Sequence, residues 1–325
     1  MQSLRAWPVF SLVMLVTLGL LGYIGLMLFG GLLGLNPAIA AMGHFSSLDH
    51  RVHDLTYSFL FGVAAVGMLA QVWTPSKNVA GQLMALVPWA GFVLAFALTN
   101  ALVILLPFVP IFGGLTLLAA ILRPVGRDLL RSFSASRVNR VMLGLLIVAA
   151  VPLLAFAFTN IGLQRTAIDP HAAQGHYGYM VAFSFTVVGV GLLASLRPDG
   201  WWLPTWVAGL LPALLGLASV AFPIATSNLG LVWALAATAW GVVFIGAAQL
   251  TQGAESPTLL SSPPGVVLNS GSADDHSGAG RDREATTGTP RWLSVFGIIG
   301  IVVLLLVVIM TFIGGGHTPP IRHGP

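Results

Sequence analysis

Five of the eight histidines fall in two short polar stretches, each just ahead of a long apolar run. One reads His44-Phe45-Ser46-Ser47-Leu48-Asp49-His50-Arg51-Val52-His53-Asp54, and the other carries Arg165, Asp169, His171 and His176. His50 and His53 are three residues apart, so on a helix they share a face and can bind one ion. His171 and His176 are five apart, a rotation of about 140° on a helix, and converge only if His171 stands in the loop. Asp49 and Asp54 can supply further oxygen ligands, or accept from an imidazole and fix its tautomer. Two chemistries fit these residues. In the first, His53 and His176 face each other and hold a b-type haem for electron transfer or haem handling, with Phe59, Phe61, Phe183 and Phe185 packing nearby or simply forming core. In the second, His50, His53 and His171 or His176 hold Zn or Cu, for hydrolysis by a metal-bound water or for oxidation by a cycling copper. The alternative to both is a non-catalytic membrane subunit or facilitator whose histidines only hydrogen-bond at an interface.

The elements that must position these groups are membrane helices. Only 7% of the 325 residues are charged and 56% are hydrophobic, against about a quarter charged in soluble domains. A water-facing surface cannot be built from that, so the chain reads as an all-α, polytopic integral membrane protein, its exterior in contact with the lipid bilayer. Soluble enzymes and nucleic-acid partners are excluded. There is no cysteine, which removes disulfides, iron–sulfur clusters, thiolate or covalently attached haem, and sulfur-ligated zinc or copper. A metal must be held by histidine and oxygen.

Crossing about 30 Å of hydrocarbon takes about 20 apolar residues. The sequence offers nine such spans, at 8–33, 55–73, 81–98, 101–122, 141–163, 177–196, 201–222, 229–250 and 292–313. Thr99 and Asn100 form the hairpin that divides the third from the fourth, and Pro107 and Pro110 kink the fourth. The first span is too long for a cleaved signal and reads as a retained helix. No ionisable residue lies inside any of the nine, which argues against an ion-coupled pump. With the N-terminus in the cytoplasm, eleven of the 14 lysines and arginines fall on the inner side and only Arg51, Arg165 and Arg322 outside. The positive-inside rule therefore predicts a multi-pass protein of the cell inner membrane, N-terminus in and C-terminus out, with both His stretches facing outward.

Sliding the chain by 124 residues places Phe59, Phe61, Val63, Val66, Gly67, Leu69 and Ala70 on Phe183, Phe185, Val187, Val190, Gly191, Leu193 and Ala194. Pro88 then falls on Pro212. The spacing predicts an internal duplication, four helices plus four, related by a pseudo-two-fold axis along the membrane normal. The domains are then a first repeat (1–122), a cytoplasmic arginine-rich loop (123–140) lying against lipid head groups, a second repeat (141–250), a disordered Ser/Pro/Gly linker (251–291) and a C-terminal helix with an outer tail (292–325). That last helix anchors the chain or faces a redox or other membrane-protein partner. His276 in the linker and His317 and His323 in the tail read as solvated. Asn100 and Asn160, which close the near-identical stretches Leu94 to Asn100 and Leu154 to Asn160, read as helix-end caps.

The four-plus-four arrangement, with histidines at the outer ends of the second and sixth helices, resembles the heme A synthase family. Asp49-His50-Arg51 is similar to that family's carboxylate and His-Arg stretch at its second helix. The resemblance implies that His50 or His53, together with His176, are haem ligands. The family's further histidines, on its fourth and eighth helices, have no counterpart at 101–122 or 229–250. Gly175-His176-Tyr177-Gly178-Tyr179-Met180 resembles a ligand-bearing helix of haem–copper oxidase subunit I, without the adjacent His pair that holds copper there.

Overall fold

A computed structural model describes residues 7–32, 48–73, 78–123 and 132–253. Among them there is no strand, and the helices are α1 (Pro8–Leu32), α2 (Arg51–Trp73), α3 (Val79–Leu98), α4 (Gly114–Ile121), α5 (Arg140–Thr166), α6 (His176–Leu196), α7 (Trp202–Ala221) and α8 (Gly230–Gly253). Seven of these, all but α4, are long and apolar enough to cross a membrane. The expected C-terminal helix at 292–313, most of the linker, Arg127, Arg131, His44, His276, His317 and His323 lie outside the described residues.

The helices begin and end where the chain offers caps. Asn78 accepts from the Gly81 N–H ahead of α3, and Asn139 accepts from Val141 and Met142 ahead of α5, each filling donors that a first turn leaves open. Asn100, with φ +56°, ends α3 in the left-handed conformation, as the expected hairpin requires. Its sequence twin does something else. Asn160 is buried inside α5, donates to Phe156 O and accepts from Ser227 Oγ, so the capping expectation fails there, because α5 runs on to Thr166. The fourth span is not one helix. A 3-10 turn (Leu102–Leu105), a π turn (Val109–Gly113) and α4 follow one another, since Pro107 and Pro110 can donate no backbone hydrogen bond. At the other end of the chain α8 extends to Gly253, three residues into the expected linker.

α6 is the most enclosed helix, with 78% of its membrane-length window buried, against 22% for α5 and α8. It packs on α3, α5, α7 and α2, while α2 packs on α1, α3 and α7. Between α7 and α8, Gly209, Gly216 and Gly241 leave no room for a Cβ and let the backbones touch, the close approach small residues permit in lipid. The outer faces of α5 and α8 expose Val148, Val151, Val232 and Val242. Apolar surface of that extent is stable only against lipid or a partner, so the bundle is that of a membrane protein.

Candidate metal centre

One end of the bundle gathers the α3–α4 turn, the α5–α6 connection, the α7–α8 loop and the start of α2. Leu48–His50 forms a 3-10 turn that runs straight into α2, and the Thr226 N–H donates to Asp49 O, tying that turn to the α7–α8 loop. His50 and His53 are thereby set three residues apart at a helix start, facing α6.

The second pair is built by a break in the chain. Pro170–Ala173 makes one helical turn, capped by Asp169, whose Oδ1 accepts from the Ala172 N–H. Gly175 then takes φ +79° and α6 starts at His176. His171 is thus outside α6, the one arrangement that lets residues five apart converge. A side chain at 175 would also run into Phe96 and Ile104. Gln164 of α5 staples the turn to α6, donating to Ala172 O and accepting from the Gly178 N–H. The Tyr177 hydroxyl donates to Asp169 Oδ2. Desolvation pushes the Asp169 carboxyl upward, but hydrogen bonds from Ala172 and Tyr177, with His171 close by, outweigh it and hold the group below its ordinary value.

All four imidazoles meet. His50, His53, His171 and His176 each offer a ring nitrogen, and these atoms lie within 4.8 Å of one another. His50 Nδ1 and His176 Nδ1 are 3.2 Å apart. His50 stacks on His171 at 4.3 Å between ring centroids, and His53 stands 5.3 Å from His171 and 5.1 Å from His176. His53 is 1% exposed and His176 6%. Neither nitrogen of His53 has a hydrogen-bond partner, nor has His171 Nε2. Buried polar atoms are seldom left so, at a cost of about 1–3 kcal/mol each. The converging set is imidazole alone. Asp54 lines a neighbouring cavity, and Asp49 sits in the 3-10 turn.

That cavity holds about 220 Å³ and is lined by Leu28 of α1, His53, Asp54 and Tyr57 of α2, Gln174, and His176 and Tyr179 of α6. Beneath it Tyr57, Phe61, Trp89, Phe92, Phe108 and Tyr179 form a continuous aromatic core. Phe61 belongs to it, Phe183 is buried elsewhere in the bundle core, and Phe59 and Phe185 pack at the core's edge. Sequence reasoning passed over Tyr57, Tyr179, Gln174 and Gln164. The tyrosines were within its reach, since Tyr57 is four residues after His53 and Tyr179 three after His176, which puts each on its histidine's helix face. The glutamines carry no such signal.

No protein-family model, no curated protein and no solved structure matches this chain.

Proposed function

We propose that this protein is a multi-pass membrane protein that holds one zinc or copper ion through His50, His53, His171 and His176 and uses it for chemistry on a molecule in the adjoining cavity. The convergence of four ring nitrogens from two separate chain segments carries the reading. Metal–nitrogen bonds of about 2.0–2.1 Å in a tetrahedron put ligand atoms about 3.3–3.4 Å apart. The His50–His176 pair already stands at 3.2 Å, and the widest pair, at up to 4.8 Å, needs to close by about 1.4 Å on the same scale. Imidazoles without sulfur suit zinc, copper, iron and nickel, and of these zinc and copper are the ions proposed. Four imidazoles around a tetrahedral zinc would close it, as in structural sites, whereas a reactive zinc keeps one position open; the cavity that reaches His53 and His176 is where that position lies if one of the four stays off the ion. Copper, cycling its oxidation state, would make the protein an oxidoreductase; zinc would serve as a Lewis-acid hydrolase only with three of the four imidazoles bound and the fourth position open to the cavity.

The ring spacing speaks for an ion over a b-type haem. Coaxial imidazoles at about 2 Å from a metal have centroids about 6 Å apart with a porphyrin between them, whereas His53 and His176 stand at 5.1 Å. His50 and His171 fill the space a macrocycle would take.

The four-plus-four duplication draws support from packing. Exchanging α1–α4 for α5–α8 turns α1·α2 into α5·α6, α2·α7 into α6·α3, and α1·α4 into α5·α8, all of which are packed pairs. The outward orientation of the His end draws support from charge. Among the described residues that end carries Arg51 and Arg165, and the opposite end Arg123, Arg137, Arg140 and Arg197.

Protein purified in detergent, stripped with chelator and reloaded is expected to take up one zinc or copper ion per chain by elemental analysis. His53→Ala with His176→Ala is expected to abolish uptake. A preparation that binds neither ion, before or after reloading, would sink the proposal.

A further inference from the structure

We infer that the cavity beside the four imidazoles is a binding pocket for a compact organic ammonium, an amine carried on a small apolar or aromatic body. The inference rests on the cavity's own walls and goes beyond the metal reading. At about 30 Å³ for each water in the liquid, 220 Å³ is room for about seven waters or one small molecule.

Two oxygen atoms of the lining residues have no hydrogen-bond partner, Asp54 Oδ2 and Gln174 Oε1. The Gln174 carbonyl oxygen and an ionised Asp54 both accept, so a guest that donates, and that brings the charge which holds Asp54 ionised, satisfies both. Carbonyl guests bring no donor, and phosphates and carboxylates also repel Asp54. Among donors, charge decides. Asp54 is only 9% exposed, and a buried carboxylate is stabilised by a cationic partner that hydrogen-bonds to it, more than by a neutral one. Arg51, three residues earlier, leaves Asp54 Oδ2 without a hydrogen bond. An –NH3+ group has three donors, one for each of the two orphaned oxygens and one to spare.

The other walls fit the rest of such a molecule. Tyr57 and Tyr179 lie with ring centroids 4.6 Å apart and line the cavity together with Leu28. Aromatic faces attract ammonium groups, and the same surfaces receive an apolar body.

The test uses the full-length protein in detergent, stripped of metal by chelator and titrated calorimetrically with three probes of one shape: 2-phenylethylamine, the neutral 2-phenylethanol and the anionic phenylacetate. The amine is expected to bind at least tenfold more tightly than the alcohol, and phenylacetate not at all. Asp54→Asn is expected to erase the preference for amine over alcohol, and Gln174→Leu to weaken the amine several-fold. If Asp54→Asn fails to elute as a folded monodisperse species, Asp54→Glu, which keeps the charge and must keep the preference, takes its place. Equal binding of amine and alcohol, tighter binding of phenylacetate, or an amine affinity untouched by both Asp54→Asn and Gln174→Leu would overturn the inference. Metal content is measured on the same preparations before stripping and after reloading. Loss of the amine preference with one ion per chain fails this inference alone, and an amine preference without metal uptake fails the metal reading alone.

Discussion

His53 is the residue on which the site turns. It is the most buried of the four histidines, and both its nitrogens lack a partner. Replacing it with alanine is expected to remove metal uptake, and the removal of two orphaned polar atoms should offset part of the cavity cost to the stripped protein. Metal content and chemical denaturation of the stripped form measure the two effects separately. Asp169 works at one remove, by capping the turn that carries His171. Asp169→Ala is expected to cost about 1 kcal/mol of stability through the lost cap, and about tenfold in metal affinity through the loosened turn, as removal of groups that orient metal ligands commonly does. Competition titration against a chromogenic chelator reads the second figure. The histidines themselves were legible in the sequence, because two polar islands in so apolar a chain leave few other places for chemistry. Gln164 and Gln174 were not, because what they do depends on which backbone atoms and which cavity the fold brings to them. Tyr57 and Tyr179 lie between these cases, visible by spacing but indistinguishable from ordinary core aromatics until the cavity beside them is seen.

The helices divide in the same way. Hydropathy placed seven of them, since the requirement for about 20 apolar residues is nearly independent of tertiary context. It could not tell Thr99-Asn100 from Thr159-Asn160, because what separates them lies downstream: α3 turns at Asn100, whereas α5 keeps its helix for another turn and a half and finds Ser227 as a partner for Asn160. The turn that separates His171 from His176 is another feature with a sharp local requirement. Gly175→Ala places a Cβ at φ +79° against Phe96 and Ile104, and is expected to cost about 1–2 kcal/mol or more and to reduce metal occupancy with it. Gly162→Ala, near the C-terminal end of α5 with nothing within 4 Å of the new carbon, is the matched control, expected to be neutral or to stabilise by about 0.5–1 kcal/mol. Thermal melts of the two variants, with metal content on the same samples, check the contrast.

For the molecule as a whole, the freedom from cysteine makes orientation directly measurable. Ile168→Cys replaces a fully exposed side chain at the His end, and Ser136→Cys an exposed one at the opposite end. An impermeant maleimide applied to intact cells is expected to label the first, and the second only after permeabilisation; the reverse pattern would turn the site toward the cytoplasm. Metal should also be felt globally. An ion at a hundred times its dissociation constant adds about 2.7 kcal/mol to stability, so chelation is expected to lower the melting temperature by about 4 °C for a chain of this size, and re-addition to restore it. The fourth apolar stretch leaves a different mark. Its continuous helical stretch, Val109–Ile121, has 13 residues and spans only about 20 Å at 1.5 Å per residue, where α8, with 24 residues, exceeds the usual hydrocarbon thickness of about 30 Å. Where a bilayer meets both, the mismatch is expected to be opposite in sign on the two sides, thinner lipid toward α4 and thicker lipid or a tilted helix toward α8, so that activity or melting temperature in vesicles of graded acyl-chain length would pass through an optimum.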